Sequence, residues 1–287
     1  MILVTGATGT IGRLLVRRLP AERTTAFVRD QAKAEGLRHV VGDFDYPASL
    51  REAMTGVERL FLNAGGAVPT TGEQPMVRQQ IAAIDAAVEA GVRHVVKLSV
   101  WHARVGGKLA EGAHGVIEDY LKESGLAWTI LQPNGFMQNF STGTAVATEN
   151  GNFLGAYGDA RVSYIDCDDI AASAAAVLTG DIDPGQTFVL TGPEALTHNE
   201  IAAKLSTVVG RDIRYVDLPP AEFAARLTAA GAPEPFAADV AALFADVASG
   251  RLSPVTQDVE TLTSRPPTTF DTFLHRHSPA IRAAWAN

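Results

Sequence analysis

The chain has 287 residues, of which 46% are hydrophobic and 20% charged, proportions typical of a compact folded protein and not of a disordered one. A formal net charge of −8 without an extended Lys/Arg run argues against direct nucleic-acid binding. No apolar stretch approaches the roughly 20 residues of a membrane-spanning helix. The only cysteine, Cys167, has no internal disulfide partner, and no charged leader precedes the first apolar run. We therefore expect a cytoplasmic protein without a membrane segment.

The first half of the chain alternates short apolar runs with helical periodicity, the pattern of βαβ units around a parallel sheet. Helices are predicted from about residue 11, over 76–90 and over 114–124. The predicted strands are 2–5, 26–28, 39–41, 59–62, 94–100 and 127–131.

The second half is less regular. A helix is predicted to begin at Asp168 or Asp169, either of which could cap it, and a seventh strand fits 187–192. Thr197 and Glu200 have the spacing of a capping box, which predicts a helix from 198 to about 209. Two Ala-rich helical stretches interrupted by prolines follow.

The motif "GATGTIG" follows the first strand and opens the first helix. Gly6 permits a tight turn, Gly9 allows the backbone to approach a pyrophosphate, and Gly12 allows close packing of helix on strand. This context predicts a dinucleotide site, although the spacing is not the commoner G-x-G-x-x-G and a Gly-rich turn without ligand is the alternative. The cofactor-binding residues predicted from the motif are Gly6, Thr8, Gly9, Thr10, Ile11 and Gly12.

The second strand ends at Arg29, where dinucleotide-binding proteins usually carry an acidic residue that accepts from the ribose 2′-hydroxyl. A guanidinium can pair bidentately with a 2′-phosphate, so Arg29 favours NADP(H) over NAD(H). The alternative is that Arg29 is solvated and Asp30 is the relevant acid. Asp43 and the turn Asn63, Ala64 and Gly65 follow later strands and are also predicted to contact the cofactor, unless they only shape their loops.

Several segments resemble one known family, among them "GATGTIG", "VEAGVRHVVKLSV" and "SGLAWTILQPNGFMQNF". The chain resembles the NmrA-like, atypical short-chain dehydrogenase/reductases, and within them the quinone reductases and triphenylmethane reductase. The resemblance implies an α/β fold, a Rossmann-type doubly wound parallel sheet with a smaller C-terminal α+β substrate lobe. The NADP-binding domain would comprise residues 1–135 and about 164–192, and the substrate lobe about 136–163 and 193–287.

Ordinary short-chain dehydrogenases use a Tyr-x-x-x-Lys pair, and none of the five tyrosines here has Lys four residues on. By the resemblance, His114 occupies the place of a lysine found in isoflavone-reductase-like enzymes, which makes it the candidate proton donor. His114 and Glu118 are four apart on one predicted helix face. They form either a carboxylate-held imidazole or an ordinary solvated face.

The resemblance also places Pro133 and Asn134 beside the nicotinamide half of the cofactor. The predicted substrate-binding residues are Trp101, His102, Phe136, Met137 and Phe140, although aromatic and Met side chains are also common in cores. The seven histidines form no HExxH or Cys-rich pattern, so no metal is predicted.

The expected function is an NADPH-dependent oxidoreductase that transfers hydride to a quinone-like or other conjugated, electron-poor small molecule. A non-catalytic NADP(H)-sensing regulator of the NmrA type and a tailoring reductase for a polycyclic natural product are the alternatives. The residues do not specify an oligomeric state.

Overall fold

The computed structural model describes residues 1–34, 36–142 and 147–286. The strands of these residues, in chain order, are β1 (Ile2–Val4), β2 (Thr24–Val28), β3 (His39–Val41), β4 (Arg59–Leu62), β5 (His94–Leu98), β6 (Ala127–Pro133), β7 (Ala147–Glu149), β8 (Asn152–Gly155), β9 (Arg161–Val162), β10 (Gln186–Leu190), β11 (Leu196–Thr197) and β12 (Tyr215–Asp217).

The helices of the same residues, in chain order, are α1 (Thr10–Val16), α2 (Pro47–Ala53), α3 (Pro75–Glu89), α4 (Leu109–Glu123), α5 (Asn139–Thr142), α6 (Cys167–Thr179), α7 (His198–Val209), α8 (Pro220–Ala229), α9 (Glu234–Val247), α10 (Asp258–Thr263), α11 (Phe270–Arg276) and α12 (Ser278–Ala284). None of these helices is long and apolar enough to cross a membrane.

Seven parallel strands form the central sheet in the order β10-β6-β5-β4-β1-β2-β3. The six strands predicted from the first half are all present, and the predicted seventh, β10, adds to the edge beside β6. Strands covered by helices on both faces read as continuous apolar runs, which explains why short stretches such as Ile2–Val4 could be recognised. The predicted α/β, Rossmann-type fold is confirmed.

The strand order reverses between β1 and β4, which are neighbours in space although β2 and β3 separate them in the chain. Thr5 ties the two strand ends together: its Oγ1 lies 2.9 Å from Phe61 O and 2.8 Å from Asn63 O, and it accepts the Asn63 N–H at 2.8 Å. Such a reversal leaves a crevice at the carboxyl ends of the strands, where open α/β sheets bind ligands.

A second core joins the smaller sheets to the C-terminal helices. The strands β12, β8 and β7 form one small sheet, and β11 pairs antiparallel with β9. The aromatic side chains of Phe140, Phe153, Phe270 and Trp285 pack together in this core. The domain boundaries drawn from the sequence stay a prediction, and residues 143–146 of the expected lobe lie outside the described residues.

Two helix starts differ from the expectation. Asp166, and neither Asp168 nor Asp169, caps α6 by accepting the Asp168 N–H at 2.9 Å. Asp169 instead accepts the Thr268 N–H at 2.7 Å, a tertiary contact that no local pattern signals. The helix predicted over 114–124 begins five residues earlier, at Leu109. The capping box of Thr197 and Glu200 is present as predicted, with Gly210 ending α7 in the left-handed conformation.

Gly12 is the glycine of the motif at which an added Cβ would meet the closest backbone contact. A Cβ at Gly12 would lie 2.1 Å from Gly6 O and 2.7 Å from Ala7 Cα, both backbone atoms that cannot move aside cheaply. We expect Gly12→Ala to lower the free energy of unfolding by about 1–3 kcal/mol, measured by denaturant unfolding without nucleotide. Gly9→Ala is the matched control, because its Cβ would lie 3.4 Å from Gly6 O, an ordinary contact. Equal losses in the two variants would contradict the packing argument.

Candidate active site

The first cavity lies at the carboxyl ends of β1, β2 and β4 and has a volume of about 430 Å³. The predicted residues that line it are Gly6, Thr8, Gly9, Arg29, Asp43, Asn63, Ala64 and Gly65. Residues separated by up to 59 positions in the chain therefore meet at one edge of the sheet, because parallel strands end at the same edge.

The glycine motif forms the floor of the first cavity. Gly6 has φ +63°, and a Cβ there would lie 2.9 Å from Asn63 Nδ2, so this position favours glycine twice. Gly12, by contrast, is buried against the motif and does not line the cavity; it sets how closely α1 approaches β1. The fit of helix to strand leaves the backbone of the turn accessible to an anionic group.

Thr10 and Ile11 lie at the start of α1 and do not line the first cavity. Thr10 is exposed, and the Ile11 side chain is buried in the core of the sheet. Their side chains thus have no place in the cavity as the structure stands. Any contribution to anion binding would come from backbone N–H groups of the first helical turn.

Arg29 and Asp30 take different positions at the tip of β2. Arg29 is exposed and lines the first cavity, whereas Asp30 does not line it. The Asp30 carboxylate accepts the N–H of Ala32 at 3.0 Å, within its own loop. At this tip Arg29, and not Asp30, therefore faces the first cavity.

The first cavity is also lined by residues outside the predicted set, among them two aromatic residues and two residues of α3. Phe27 and Phe44 meet edge to face, with ring centroids 5.5 Å apart, and Met76 and Gln79 come from the first turns of α3. Phe44 could have been suspected from its place directly after Asp43. Met76 and Gln79 carried no signal, because only the packing of α3 on β4 brings them to this edge.

A second cavity of about 300 Å³ opens where β5 and β6 end. It is mainly apolar, and the predicted residues that line it are Trp101, Pro133, Asn134 and Phe136. Leu243 of α9 and Leu252 also line it. Because β5 is the neighbour of β4, the second cavity follows the first along the same edge.

The Asn134 side chain forms hydrogen bonds that connect the end of β6 to the segment containing Leu252. Its Nδ2 donates to Ser163 Oγ and to Leu252 O, each at 2.9 Å, and its Oδ1 accepts the Gly135 N–H at 2.8 Å. The amide therefore ties the end of β6 to the wall that carries Leu252. Its direct contact with a cofactor stays a prediction.

Three predicted substrate residues lie elsewhere. Met137 and Phe140 are each 1% exposed and belong to the aromatic core of the C-terminal part, which corrects the expectation that they form a cavity wall. Their periodicity after β6 could not distinguish an inward face from a cavity face. His102 stacks on Trp101 at 4.7 Å, and its Nε2 lies 3.1 Å from Arg251 O, outside the cavity lining.

His114 and Glu118 are buried, with 7% and 3% exposure, so the solvated-face interpretation is wrong. The carboxylate does not hold the imidazole either. His114 Nδ1 lies 2.9 Å from Lys97 Nζ, and Lys97 also donates to the Leu98 carbonyl. Glu118 accepts from Ser99 Oγ at 2.5 Å and from Gln132 Nε2 at 2.9 and 3.1 Å.

These five residues form a buried polar cluster between β5, β6 and α4: Lys97, Ser99, His114, Glu118 and Gln132. Burial lowers the pKa of Lys97 to about 7, against the opposing effect of the nearby Glu118 charge. Burial, with the adjoining Lys97 charge, holds the pKa of His114 well below its usual range. No local pattern indicates that Lys97 meets His114, because Lys97 is a polar residue within an apolar strand.

No tyrosine lines the second cavity among the described residues. Tyr164 and Tyr157 are enclosed in the C-terminal core, where burial raises the pKa of each phenol far above its usual value. Tyr120 is exposed and donates to Asp85 at 2.6 Å. Within the same described ranges, no group of three or more His, Cys, Asp or Glu is placed to hold a metal ion.

The reversed strand order, the glycine floor and the cavity beside them define a Rossmann-type nucleotide-binding protein. Residues 6–181 match a protein family described as NAD(P)H-binding, and the chain belongs to that family. The class of cofactor predicted from the glycine motif is thereby confirmed.

The relatives agree with the resemblance read from the motifs. The chain is 37% identical to an NAD(P)H azoreductase of Xenophilus azovorans, over 99% of this chain and 100% of the relative. The NADPH complex of the Escherichia coli quinone oxidoreductase QOR2 superposes with a TM-score of 0.83 at 30% identity, covering 96% of this chain and 99% of the other. The Citrobacter sp. triphenylmethane reductase with NADP(H) gives 0.81 at 27% identity, covering 96% and 100%. The predicted NmrA-like resemblance is confirmed.

Replacing Arg29 tests its role in recognising the 2′-phosphate. Losing a charge-assisted hydrogen bond at a phosphate costs about 1.5–3 kcal/mol, so Arg29→Ala should raise the Kd for NADPH roughly 10- to 100-fold and leave that for NADH within about twofold. Calorimetric titration of both nucleotides measures this. Arg265→Ala, an exposed arginine that follows α10 near the opposite edge of the sheet, is the charge-matched control. Equal weakening of NADPH and NADH would remove Arg29 from phosphate recognition.

Proposed function

We propose that this protein is an NADPH-dependent oxidoreductase that transfers hydride to a quinone-like or other conjugated, electron-poor acceptor. The observation that carries the proposal is the order of the two cavities along one sheet edge. The first has the glycine floor and Arg29 for the adenosine end of NADPH, and the second is apolar and starts at the next strand. A dinucleotide in the first cavity extends toward the second.

The residues present fit such a cofactor. Bound NADPH supplies the hydride. The chain itself provides the Gly6 turn for the pyrophosphate, Arg29 for the 2′-phosphate, and Trp101 and Phe136 as apolar walls for a flat acceptor. Leu243 and Leu252 add apolar lining that excludes water.

An acceptor that spreads incoming charge over its own π-system fits a site without a Tyr-x-x-x-Lys pair. The relatives named above as azoreductase, quinone oxidoreductase and triphenylmethane reductase are named for acceptors of this kind. We assign the proton donor of the reaction to His114. Its helix α4 contributes Ala110, one turn earlier on the same face, to the lining of the second cavity.

The class of partner molecule and the cellular location are part of the same proposal. The partner is an aromatic or quinonoid small molecule, and the net charge of −8 disfavours nucleic acid. We place the protein in the cytoplasm because its single cysteine is a free thiol without a disulfide partner in the chain.

Mixing the purified protein with NADPH and a panel of quinones, azo dyes and cationic triphenylmethane dyes tests the activity. We expect acceptor-dependent loss of the nicotinamide absorbance, with NADPH used in preference to NADH. Tight NADPH binding without oxidation by any acceptor would contradict the proposal and favour the NADP(H)-sensing alternative. Oxidation only with bulky polycyclic compounds would favour the tailoring reductase.

Replacing His114 tests the proton donor. General acid catalysis contributes about 100-fold or more, so His114→Gln should lower kcat for a quinone by at least about tenfold, because Gln keeps a polar side chain for Lys97 but is no acid. The Kd for NADPH should stay within about twofold, since His114 does not line the first cavity. Unchanged kcat would exclude His114 as the donor.

A further inference from the structure

In the buried polar cluster, Lys97 and His114 form a contact that the stability of the fold does not require. Lys97 is 0% exposed, on a strand whose other residues are apolar or face the opposite side. A buried ammonium is costly unless it is compensated, and an apolar residue of similar size would be at least as stable. Its partners are a neutral ring nitrogen and a backbone carbonyl, and the carboxylate of Glu118 is bonded to Ser99 and Gln132 instead.

The hydrogen bond between Lys97 and His114 fixes the tautomer of the ring. An ammonium group has donors only, so His114 Nδ1 must accept, and the single ring proton of the neutral imidazole is then on Nε2. His114 keeps 7% exposure, and no hydrogen bond to its Nε2 is found within the described part of the chain. The ring therefore offers a proton on the side away from Lys97.

Three of the cluster residues lie close in the chain to residues that line the second cavity. Ser99 precedes Val100, Gln132 precedes Pro133, and His114 lies one helical turn after Ala110; Val100, Pro133 and Ala110 all line the cavity. Cluster residues from three elements thus adjoin the cavity lining. A proton that leaves the cluster at His114 would enter the cavity beside Ala110.

The charged groups around Lys97 are few. Helix α4 contributes His114 and Glu118, with Lys122 3.4 Å from Glu118 at the surface end. Strand β6 contributes the neutral Gln132, and the flanking strand β4 places Leu62 opposite Lys97. The buried residues of α3 are all uncharged: Met76, Val77, Gln80, Ala83, Ile84, Ala86 and Ala87. The protonation state of Lys97 therefore depends on burial, His114 and Glu118.

We propose that Lys97 is the proton store of the reaction and acts on the acceptor through His114, an inference that rests on the proposed reductase function. When hydride and its two electrons reach a quinone, the resulting oxyanion takes the proton from His114 Nε2. In the same step His114 Nδ1 takes a proton from the Lys97 ammonium, which becomes a neutral amine, so the ring stays neutral and its proton moves from Nε2 to Nδ1. Net, the quinone gains one hydride and one proton. After the product leaves, His114 returns a proton from solvent to Lys97.

Comparing the rates with two acceptors distinguishes the proton relay from cofactor binding, folding and hydride donation. A quinone needs hydride and a proton, whereas a cationic triphenylmethane dye needs hydride alone to become a neutral product. The ratio of the quinone rate to the dye rate therefore reports proton delivery, while cofactor binding, folding and hydride donation affect both rates. Lys97→Met removes the store and keeps an unbranched side chain of similar length.

We expect Lys97→Met to lower this ratio at least about tenfold near pH 6 and to make it independent of pH. In the unmodified protein the ratio should fall as the pH rises through about 7, because the ammonium form of Lys97 is lost there. Lys122→Met is the matched control: it removes a lysine that contacts Glu118 but not His114, so the ratio should stay within about twofold.

A ratio in Lys97→Met within about twofold of the unmodified protein would overturn the relay while leaving the reductase in place. Failure of the unmodified protein to oxidise NADPH with either acceptor would overturn both. If Lys97→Met does not fold, the pH profile of the unmodified protein decides: a flat ratio between about pH 6 and pH 9 would overturn the relay. Nitrogen-15 NMR of the His114 ring gives a check without turnover, because Lys97→Met should raise the His114 pKa; an unchanged titration would refute the coupling.

Discussion

The reversal of strand order between β1 and β4 is the constraint on which the rest of the molecule depends. Chain connections leave β1 toward β2 and leave β4 toward β5, so no connection covers the carboxyl ends between them. The Thr5 hydroxyl keeps the two strand ends together by bonding to Phe61 and Asn63 across this point. The crevice that results is a product of topology and needs no special loop to form it.

Close packing at the crevice then determines which residue types can occupy the turn between β1 and α1. A Cβ at Gly12 would collide with the backbone of the turn, and one at Gly6 would collide with Asn63. Because glycine has no Cβ at either position, α1 packs close to β1 and the backbone of the turn faces the cavity. At the rim, Arg29 is exposed and lines the cavity, so its side chain is not subject to the packing constraints on the glycines.

The second cavity depends on a different kind of interaction. The segment around Leu252 comes from the C-terminal part and is held by two polar contacts: the Leu252 carbonyl accepts from Asn134, directly after β6, and Arg251 pairs with the buried Glu111 of α4. Apolar walls alone would not specify where that segment sits, whereas buried hydrogen bonds to fixed backbone groups do. In the buried polar cluster an imidazole of α4 meets a lysine of β5, whereas none of the five tyrosines has a lysine four residues on.

How much could be predicted from the sequence follows from the range of each interaction. Apolar runs between turn residues gave the strands, and spacing gave the α7 capping box and the glycine floor, because these depend on neighbours within a few residues. The predicted start of α6 was wrong because Asp169 does not cap the helix but accepts a hydrogen bond from the N–H of Thr268, 99 positions away. Met137 and Phe140 were misplaced because a short apolar segment does not reveal which side meets the core.

The sequence by itself therefore determined the class of fold, the nucleotide cradle and the arginine at its rim, all encoded by local pattern. Only the tertiary structure decided that Lys97 faces His114, that Glu118 pairs with Ser99 and Gln132, and that Leu243 and Leu252 complete the second cavity. These contacts join separate elements across the face of the sheet. These contacts form only when α4 and α9 are packed in place, and that packing depends on the whole chain and cannot be inferred from any single segment.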